Sequence, residues 1–348
     1  MPDRIPAFMI VGMRILIIGG GRFLGRAFAT EALAMNAGHD VTVFNRGRTS
    51  VDPPGVQVIR GDREKTADLE RLAAAAGAGW DLVVDTCGYQ PAVVGESARM
   101  LADHAAAYLF ISSISAYELW PSEPITATSP KFACDPHETE GEYGPLKAGC
   151  ERAVEEHFPG RTITLDAGLI VGPHENQGRL TWWLSRIARG GPVLAPAEPK
   201  RRIAPIDARD LARFGLTCAA QGSYGAFAVP GPGTESMEDM LEACVAATGS
   251  DARLVWADEA FLLEHEVDQW TGLPLWAAAD GPTSAVWAVD TGPAQAAGLT
   301  WRPIADTVRD TWAWLSTVED LSDEDGRIKG HGLPRTREEE LLELLAAR

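Results

Sequence analysis

Tyr143 and Lys147 stand four residues apart in the stretch "EYGPLKAGCE", in a chain of 348 residues with only five tyrosines and five lysines. Proline is best tolerated in the first turn of a helix, so Pro145 places Tyr143 at the N-terminal edge of a helix running through "PLKAGCERAVEEHF". Lys147 then lies one turn later on the same face. An ammonium there would stabilise a tyrosinate and pull the phenol down from its ordinary value of about 10, which makes Tyr143 a proton donor and acceptor near neutrality. Upstream, in "FISSISAY", Ser113 closes an apolar run and is placed to hydrogen-bond the same substrate oxygen.

Such a set needs a frame, and the first half of the chain supplies a repeating one. "RILIIGG" reads as a strand ending in glycines, and "RFLGRAFATEALAMNAG" after it has helical spacing and closes on Gly38. "DVTVFNRG", "VQVIRGD", "DLVVDTCG" and "AYLFISSISAY" read as further strands, with helical stretches "TADLERLAAAAG" and "VVGESARMLADHA" between them. Apolar strands alternating with helices imply an α/β fold with a doubly wound parallel sheet covered on both faces, and ligands at the carboxyl ends of the strands.

The glycine-rich turn Gly19, Gly20, Gly21, Arg22, Phe23, Leu24, Gly25 sits at the first of those ends. Its glycines let the backbone approach a pyrophosphate, and the helix after it points N–H groups and a positive dipole end at the same place. At the second strand end a dinucleotide fold selective for NAD carries an acidic residue for the ribose 2′-hydroxyl. Here the stretch is "FNRGR": neutral Asn45 beside Arg46 and Arg48, a setting that attracts a 2′-phosphate, with Arg22 adding to it. Asp62 in "GDRE" stands where an adenine amino group can be bonded. The expectation is an NAD(P) cofactor, with NADP favoured.

Composition narrows the partners. A formal charge of −18 repels phosphate backbones, and no basic stripe interleaved with aromatics interrupts it, so nucleic acid is not expected. The opening "MPDRIPAFMIVGMRILIIGG" runs straight into the first strand without a cleavage site or a span of about twenty apolar residues, so neither signal peptide nor membrane helix is expected. Five cysteines with no C-x-x-C point to a reducing cytoplasm rather than a disulfide framework. The histidines are dispersed, and no metal site is expected.

After Pro173 the alternation stops. "RLTWWLSRIARGG" reads as a helix bringing Trp182 and Trp183 towards a substrate cleft, although most of the eleven tryptophans are expected to pack core. "GAFAVPGPG" reads as a returning strand, "SMEDMLEACVAATG" as a helix capped by Ser236, and "IADTVRDTWAWLSTVED" and "REEELLELLAAR" as two more. The expected layout is an extension over 1–12, a Rossmann domain over 13–172, a smaller mixed substrate domain over 173–320 with a strand returning to the sheet, and a linker and C-terminal helix over 321–348.

Taken together these stretches resemble the extended short-chain dehydrogenase/reductase superfamily, the NAD-dependent epimerase/dehydratase group. The glycine turn, "FISSISAY", "YGPLK", "LIVGPHE" and "APIDARDLA" match in order, from about Arg14 to about Leu315. "GGGRFLG" with "FNRG" and "DTCGY" is similar to a branch that includes bacterial epimerases and plant chloroplast stem-loop-binding proteins. The resemblance implies a catalytic triad of Ser113, Tyr143 and Lys147, with Ser113 chosen because it precedes Tyr117 by four. It also brings Arg63, Asp85 and Cys87, together with Lys147, into the cofactor-binding set, and implies a small-molecule substrate and a possible homodimer.

Three departures from the group shape the expectation. Ile114 and Ser115 stand where dehydratases carry an Asp-Glu pair, which argues against dehydration. Asp166-Ala167 replaces Arg-Pro, and Leu169 replaces an Asn that touches a nucleotide diphosphate, which argues against a sugar nucleotide. Arg201 and Arg202 are kept and could clamp a phosphate or carboxylate. The expected activity is oxidoreduction or epimerisation at a secondary alcohol or ketone of a sugar-like or specialised metabolite. The rival is a catalytically silent Rossmann protein that binds RNA or protein.

Overall fold

Ile15, Leu16, Ile17 and Ile18 are all 0–1% exposed, a pattern that a strand shows only when both of its faces are covered. The computed structural model describes residues 12–35, 37–48, 51–196, 198–318 and 330–348. The expected extension over 1–12, Gly12 apart, and residues 321–329 of the expected linker lie outside the described residues.

The elements of the first half follow the sequence reading: β1 (Arg14–Ile18), α1 (Phe23–Ala34), β2 (Asp40–Asn45), β3 (Gln57–Arg60), α2 (Thr66–Ala74), β4 (Trp80–Asp85), α3 (Pro91–Leu101), β5 (Ala105–Ser113), α4 (Tyr143–His157) and β6 (Thr162–Ala167). A seven-stranded sheet runs in the order Gly225–Val229, β6, β5, β4, β1, β2, β3. β1 pairs parallel with β2 and β4, and β4 with β5, in a register that sets Ile18 beside Phe44 and Asp85, and Asp85 beside Phe110. The carboxyl ends of these strands therefore lie abreast, where the candidate residues cluster. On one face Leu16, Ile18, Val83, Tyr108 and Phe110 form a core with Leu69 and Leu72 of α2, Val94 and Ala98 of α3, and Val154 of α4. On the other, the helix Ala208–Gln221 comes so close that a Cβ at Gly215 would stand 2.7 Å from Leu109. The doubly wound α/β architecture expected from the sequence is the one found.

The chain divides into two compact units whose sequences interleave. The first holds Met1–Ala116, Lys131–Asp166 and Ala212–Phe227; the second holds Tyr117–Pro130, Ala167–Leu211 and Ala228–Arg348. The second spans as much chain as the first rather than less, because Tyr117–Pro130 and the C-terminal segment join it. Its core gathers Leu180, Trp183 and Leu184, Met240 and Leu241, Phe261, Trp276 and Val308. A helix Met237–Thr248 there is capped by a reciprocal Ser236–Asp239 box, as Ser236 foretold. Trp183 is not a cleft residue: it is fully buried and donates from Nε1 to the Pro274 carbonyl at 2.7 Å. Arg201 is occupied, donating to Glu259 at 2.7 Å and to the Ala277 carbonyl at 2.9 Å. No described helix is long and apolar enough to cross a membrane.

Candidate functional site

The helix α4 begins at Tyr143, and Gly144 explains why it can begin there. A Cβ at Gly144 would stand 2.3 Å from the Ser115 carbonyl oxygen, so only glycine lets the first turn of α4 rest on the turn that follows β5. That contact holds the end of the Ser113 strand and the start of the Tyr143 helix together. Gly149, five residues further on, is squeezed between Cys134 and Pro91, and seats α4 on α3.

Lys147 is 4% exposed and donates to the carbonyls of Gly88 at 2.7 Å and Ile111 at 2.8 Å. Its ammonium lies 4.9 Å from the ring centre of Phe110, 5.0 Å from Tyr89 and 5.9 Å from Tyr143. Burial pushes the amine down from its usual range, while the aromatic faces and carbonyl dipoles favour its charge. Ser113 is nearly buried, and its Oγ accepts the Ser115 N–H at 3.1 Å, which fixes the oxygen and leaves the hydroxyl proton to be donated. Tyr143 is half exposed.

At the glycine turn, Gly19 has φ 89 and a Cβ there would stand 2.9 Å from Cys87 Sγ, while a Cβ at Gly25 would stand 2.4 Å from the Gly19 carbonyl. The turn is thus closed on itself and floored by the Thr86–Cys87 segment. Gly20, Gly21 and Arg22 lie within it, Leu24 is buried beneath it, and Phe23 takes an unusual φ of 24. The N-cap Arg22 makes no side-chain cap bond, and no acidic residue of the helix itself lies in the first turn of α1 to oppose its positive end. A pyrophosphate fits these residues in shape and in charge.

Arg63 and Asp85, two residues of the expected cofactor set, are paired with each other. The guanidinium reaches both Asp85 oxygens, at 2.7 and 2.8 Å, and Tyr108 donates to the same carboxylate at 2.8 Å. Burial works against the Asp85 charge, but Arg63 outweighs it and holds the carboxyl below its usual range. Cys87 Sγ lies 3.7 Å from Arg63, and burial pushes this thiol up.

At the ends of β2 and β3, the Asn45 amide is engaged internally: Oδ1 accepts from the Gly47 N–H at 2.9 Å and from Arg60, and Nδ2 donates to Asp52 at 2.9 Å. Asp52 also pairs with Arg60. An acidic side chain therefore does stand at this strand end, delivered by the next loop rather than by the strand. Arg46 and Arg48 are exposed. Asp62 accepts the Glu64 N–H at 3.2 Å, a turn within the loop.

A partly buried ionic cluster, with Asp166 at its buried end, escaped the sequence reading. Lys131 bridges Glu151 at 2.7 Å and Asp166 at 2.8 Å, and Glu151 also accepts the hydroxyl of Ser112. Glu151 continues the face of Tyr143 and Lys147 by one more turn, a spacing visible in the sequence; Lys131 carries no such signal. Burial opposes the ammonium, but Asp166 and Glu151 outweigh it and raise its pKa. A lysine whose folded pKa is raised stabilises the fold below its unfolded value of about 10.4, and that stability is lost as pH climbs through the folded value. Lys131→Met is expected to cost about 3 kcal/mol at neutral pH, the lower end for breaking a buried pair. The difference from wild type should shrink in alkali above about pH 10.4, as read by urea unfolding across pH.

No family model matches the chain, and no curated protein matches it. Among solved structures it is similar to the Bordetella bronchiseptica enzyme WbmH in complex with NAD+, with TM-score 0.65 and 16% identity over 88% of this chain and 99% of that one. It is similar to the UDP-glucose 4-epimerase of Thermus thermophilus in complex with NAD, with TM-score 0.61 and 17% identity over 88% of this chain and 100% of that one. It is also similar to UDP-N-acetylglucosamine 4-epimerase from Methanobrevibacter ruminantium M1 in complex with UDP-N-acetylmuramic acid, with TM-score 0.65 and 14% identity over 88% and 99% of the two chains. The likeness is one of fold, and the fold is the one that the resemblance in the sequence implied.

Proposed function

We propose that this protein is an NAD(P)-dependent oxidoreductase or epimerase of the extended short-chain dehydrogenase/reductase type, acting on a secondary alcohol or ketone of a sugar-like or specialised metabolite. The observation that carries the reading is the single helix face bearing Tyr143 and the caged ammonium of Lys147, with Gly144 fastening it to the turn after Ser113. The dinucleotide, when bound, supplies hydride acceptance and donation. Gly19, Gly20, Gly21 and the start of α1 would hold its pyrophosphate, and Lys147, with two of its three donors on Gly88 and Ile111, would give the third to a ribose hydroxyl.

Tyr143 takes the proton from the reacting hydroxyl, or returns it to the carbonyl, at its phenolic oxygen. Lys147 favours the phenolate by its charge, and Ser113 donates to the same substrate oxygen and orients it. Arg22, Arg46 and Arg48 support tighter binding of the phosphorylated dinucleotide, against the opposing charge of Asp52. The test is titration of the purified chain with NAD+, NADH, NADP+ and NADPH, followed by analysis of any dinucleotide that co-purifies. We expect saturable binding of at least one, with NADP(H) the tighter; binding of none would end the proposal. Equal or tighter binding of NAD(H) would reduce Arg46 and Arg48 to solvated loop residues.

A further inference from the structure

We infer that Glu151 is a positioning residue for the proposed reaction: through the hydroxyl of Ser112 it fixes the strand end that carries Ser113 against the helix that carries Tyr143 and Lys147, and Lys131 aims its carboxylate. The inference rests on the dehydrogenase reading of this site and adds to it a residue that acts through another. Glu151 follows Tyr143 by eight residues and Lys147 by four, so the three share one face of α4. Below the tyrosine, each of them is tied to β5. Lys147 donates to the Ile111 carbonyl at 2.8 Å, and Glu151 Oε1 accepts the hydroxyl of Ser112.

Neighbouring side chains of a strand point to opposite faces. Ser112, 2% exposed, therefore shares the face of Tyr108 and Phe110, which gather in one core with Val154 of α4. The pleat turns Ser113 the other way, where its Oγ accepts the Ser115 N–H. One planar peptide joins the two serines, so an anchor on the side chain of Ser112 also fixes the backbone from which Ser113 projects. Gly144 rests on the Ser115 carbonyl and Lys147 on the Ile111 carbonyl, both contacts with backbone. The link through Glu151 joins two side chains, so it can be cut without removing a backbone group.

The carboxylate is held at both oxygens. While Oε1 takes the Ser112 hydroxyl, Oε2 takes the Lys131 ammonium at 2.7 Å, and the same ammonium reaches the fully buried Asp166 of β6 at 2.8 Å. Lys131 is delivered by a segment fastened both to the turn after β5 and to α4. The Phe132 N–H donates to the Ala116 carbonyl at 3.0 Å, and Arg152, next to Glu151 on the helix, donates to the Phe132 and Cys134 carbonyls at 2.6 and 2.9 Å. Neutralising Lys131 requires no bond to Ser112, because Asp166 already stands beside that ammonium. The hydroxyl contact is what ties the cluster to the reacting face, and a bond to an ionised acceptor is stronger than a neutral one. Ser113 and Tyr143 must meet one substrate oxygen together, and a misplacement of about 1 Å between such groups costs roughly 10²-fold in rate.

The test compares Ser112→Ala, Glu151→Ala and Glu151→Gln with the wild-type full chain. The dinucleotide dissociation constant and the urea unfolding midpoint are measured for each. Turnover is followed by nicotinamide absorbance and by product analysis with UDP-glucose, glucose 6-phosphate, sorbitol and acetophenone, which sample a nucleotide sugar, a sugar, a polyol and an aromatic ketone. Ser112→Ala is expected to lower kcat roughly tenfold or more, while KM, dinucleotide affinity and the unfolding midpoint change little. Glu151→Ala should lower both kcat and the midpoint. Glu151→Gln keeps an acceptor for Ser112 and gives up the charge that pairs with Lys131, so it should recover most of kcat and none of the lost stability. A cluster that only holds the fold would give the opposite pattern, with kcat following the midpoint and Glu151→Gln worse than Ser112→Ala. That pattern, or an unchanged kcat in Ser112→Ala, would overturn the inference and leave the dehydrogenase reading intact. Should Glu151→Ala fail to fold, Ser112→Ala decides alone. Binding of no dinucleotide by the wild type would end the dehydrogenase reading and this inference with it. Bound dinucleotide without turnover of any of the four compounds would favour a silent binding protein and likewise overturn the inference.

Discussion

Asp85→Ala is expected to destabilise the protein by roughly 3–5 kcal/mol, because it strands the Arg63 guanidinium without its carboxylate in a buried site. Asp85 is fully buried, Arg63 reaches it with two donors, and Tyr108 loses its acceptor in the same step. Replacing both charged residues by leucine should recover much of the loss, since removing a buried pair together spares the cost of leaving one charge alone. Urea unfolding of the two single variants and the double variant measures this. Dinucleotide titration of the same variants decides between two roles for Arg63 and Asp85. If they contact a dinucleotide directly, the double variant should lose dinucleotide affinity despite recovered stability; if they only frame the strand ends, affinity should return with the fold.

Tyr143→Phe is expected to lower turnover by roughly 10²-fold or more, the usual contribution of a positioned acid/base. The tyrosine is half exposed and the substitution removes one oxygen, so the fold and the dinucleotide dissociation constant should be unchanged. The check is a steady-state comparison of kcat with dinucleotide affinity measured separately. A loss in kcat alone places the effect in proton transfer, whereas an unchanged rate would move the chemistry to another residue.

The reach of the sequence was set by how local each signal is. Pro145 marks a helix start within its own turn, and α4 begins at Tyr143 as expected. The strands at 14–18, 40–45, 80–85 and 105–113 were legible because each is a run of apolar residues bounded by glycine or polar residues, and the parallel, doubly wound sheet followed from their alternation with helices. Pairing across the chain was not legible. Arg63 and Asp85 were both placed near the cofactor, but nothing in their spacing says that they satisfy each other. Asn45 was read as leaving its strand end without an acid because Asp52 arrives from a loop. Lys131 meets Asp166 across 35 positions, a distance over which neither periodicity nor a turn signal operates. Trp182 and Trp183 were read as one feature, but only the fold decides which of them is fully buried.

The interleaving of the two units bears on how this chain can be made. A ribosome delivers the first five strands of the sheet early, then β6, but the outer strand that pairs with β6 lies at Gly225–Val229, beginning where the first unit's last segment ends. At the roughly 5–20 residues per second of synthesis, that partner emerges several seconds after β6, on the order of 3–12 s. In the interval β6 is an open sheet edge whose residues are all buried in the finished protein. Nascent chains halted between about residue 170 and residue 225 should therefore be the most adhesive, and the ones that depend most on chaperones during production of the protein.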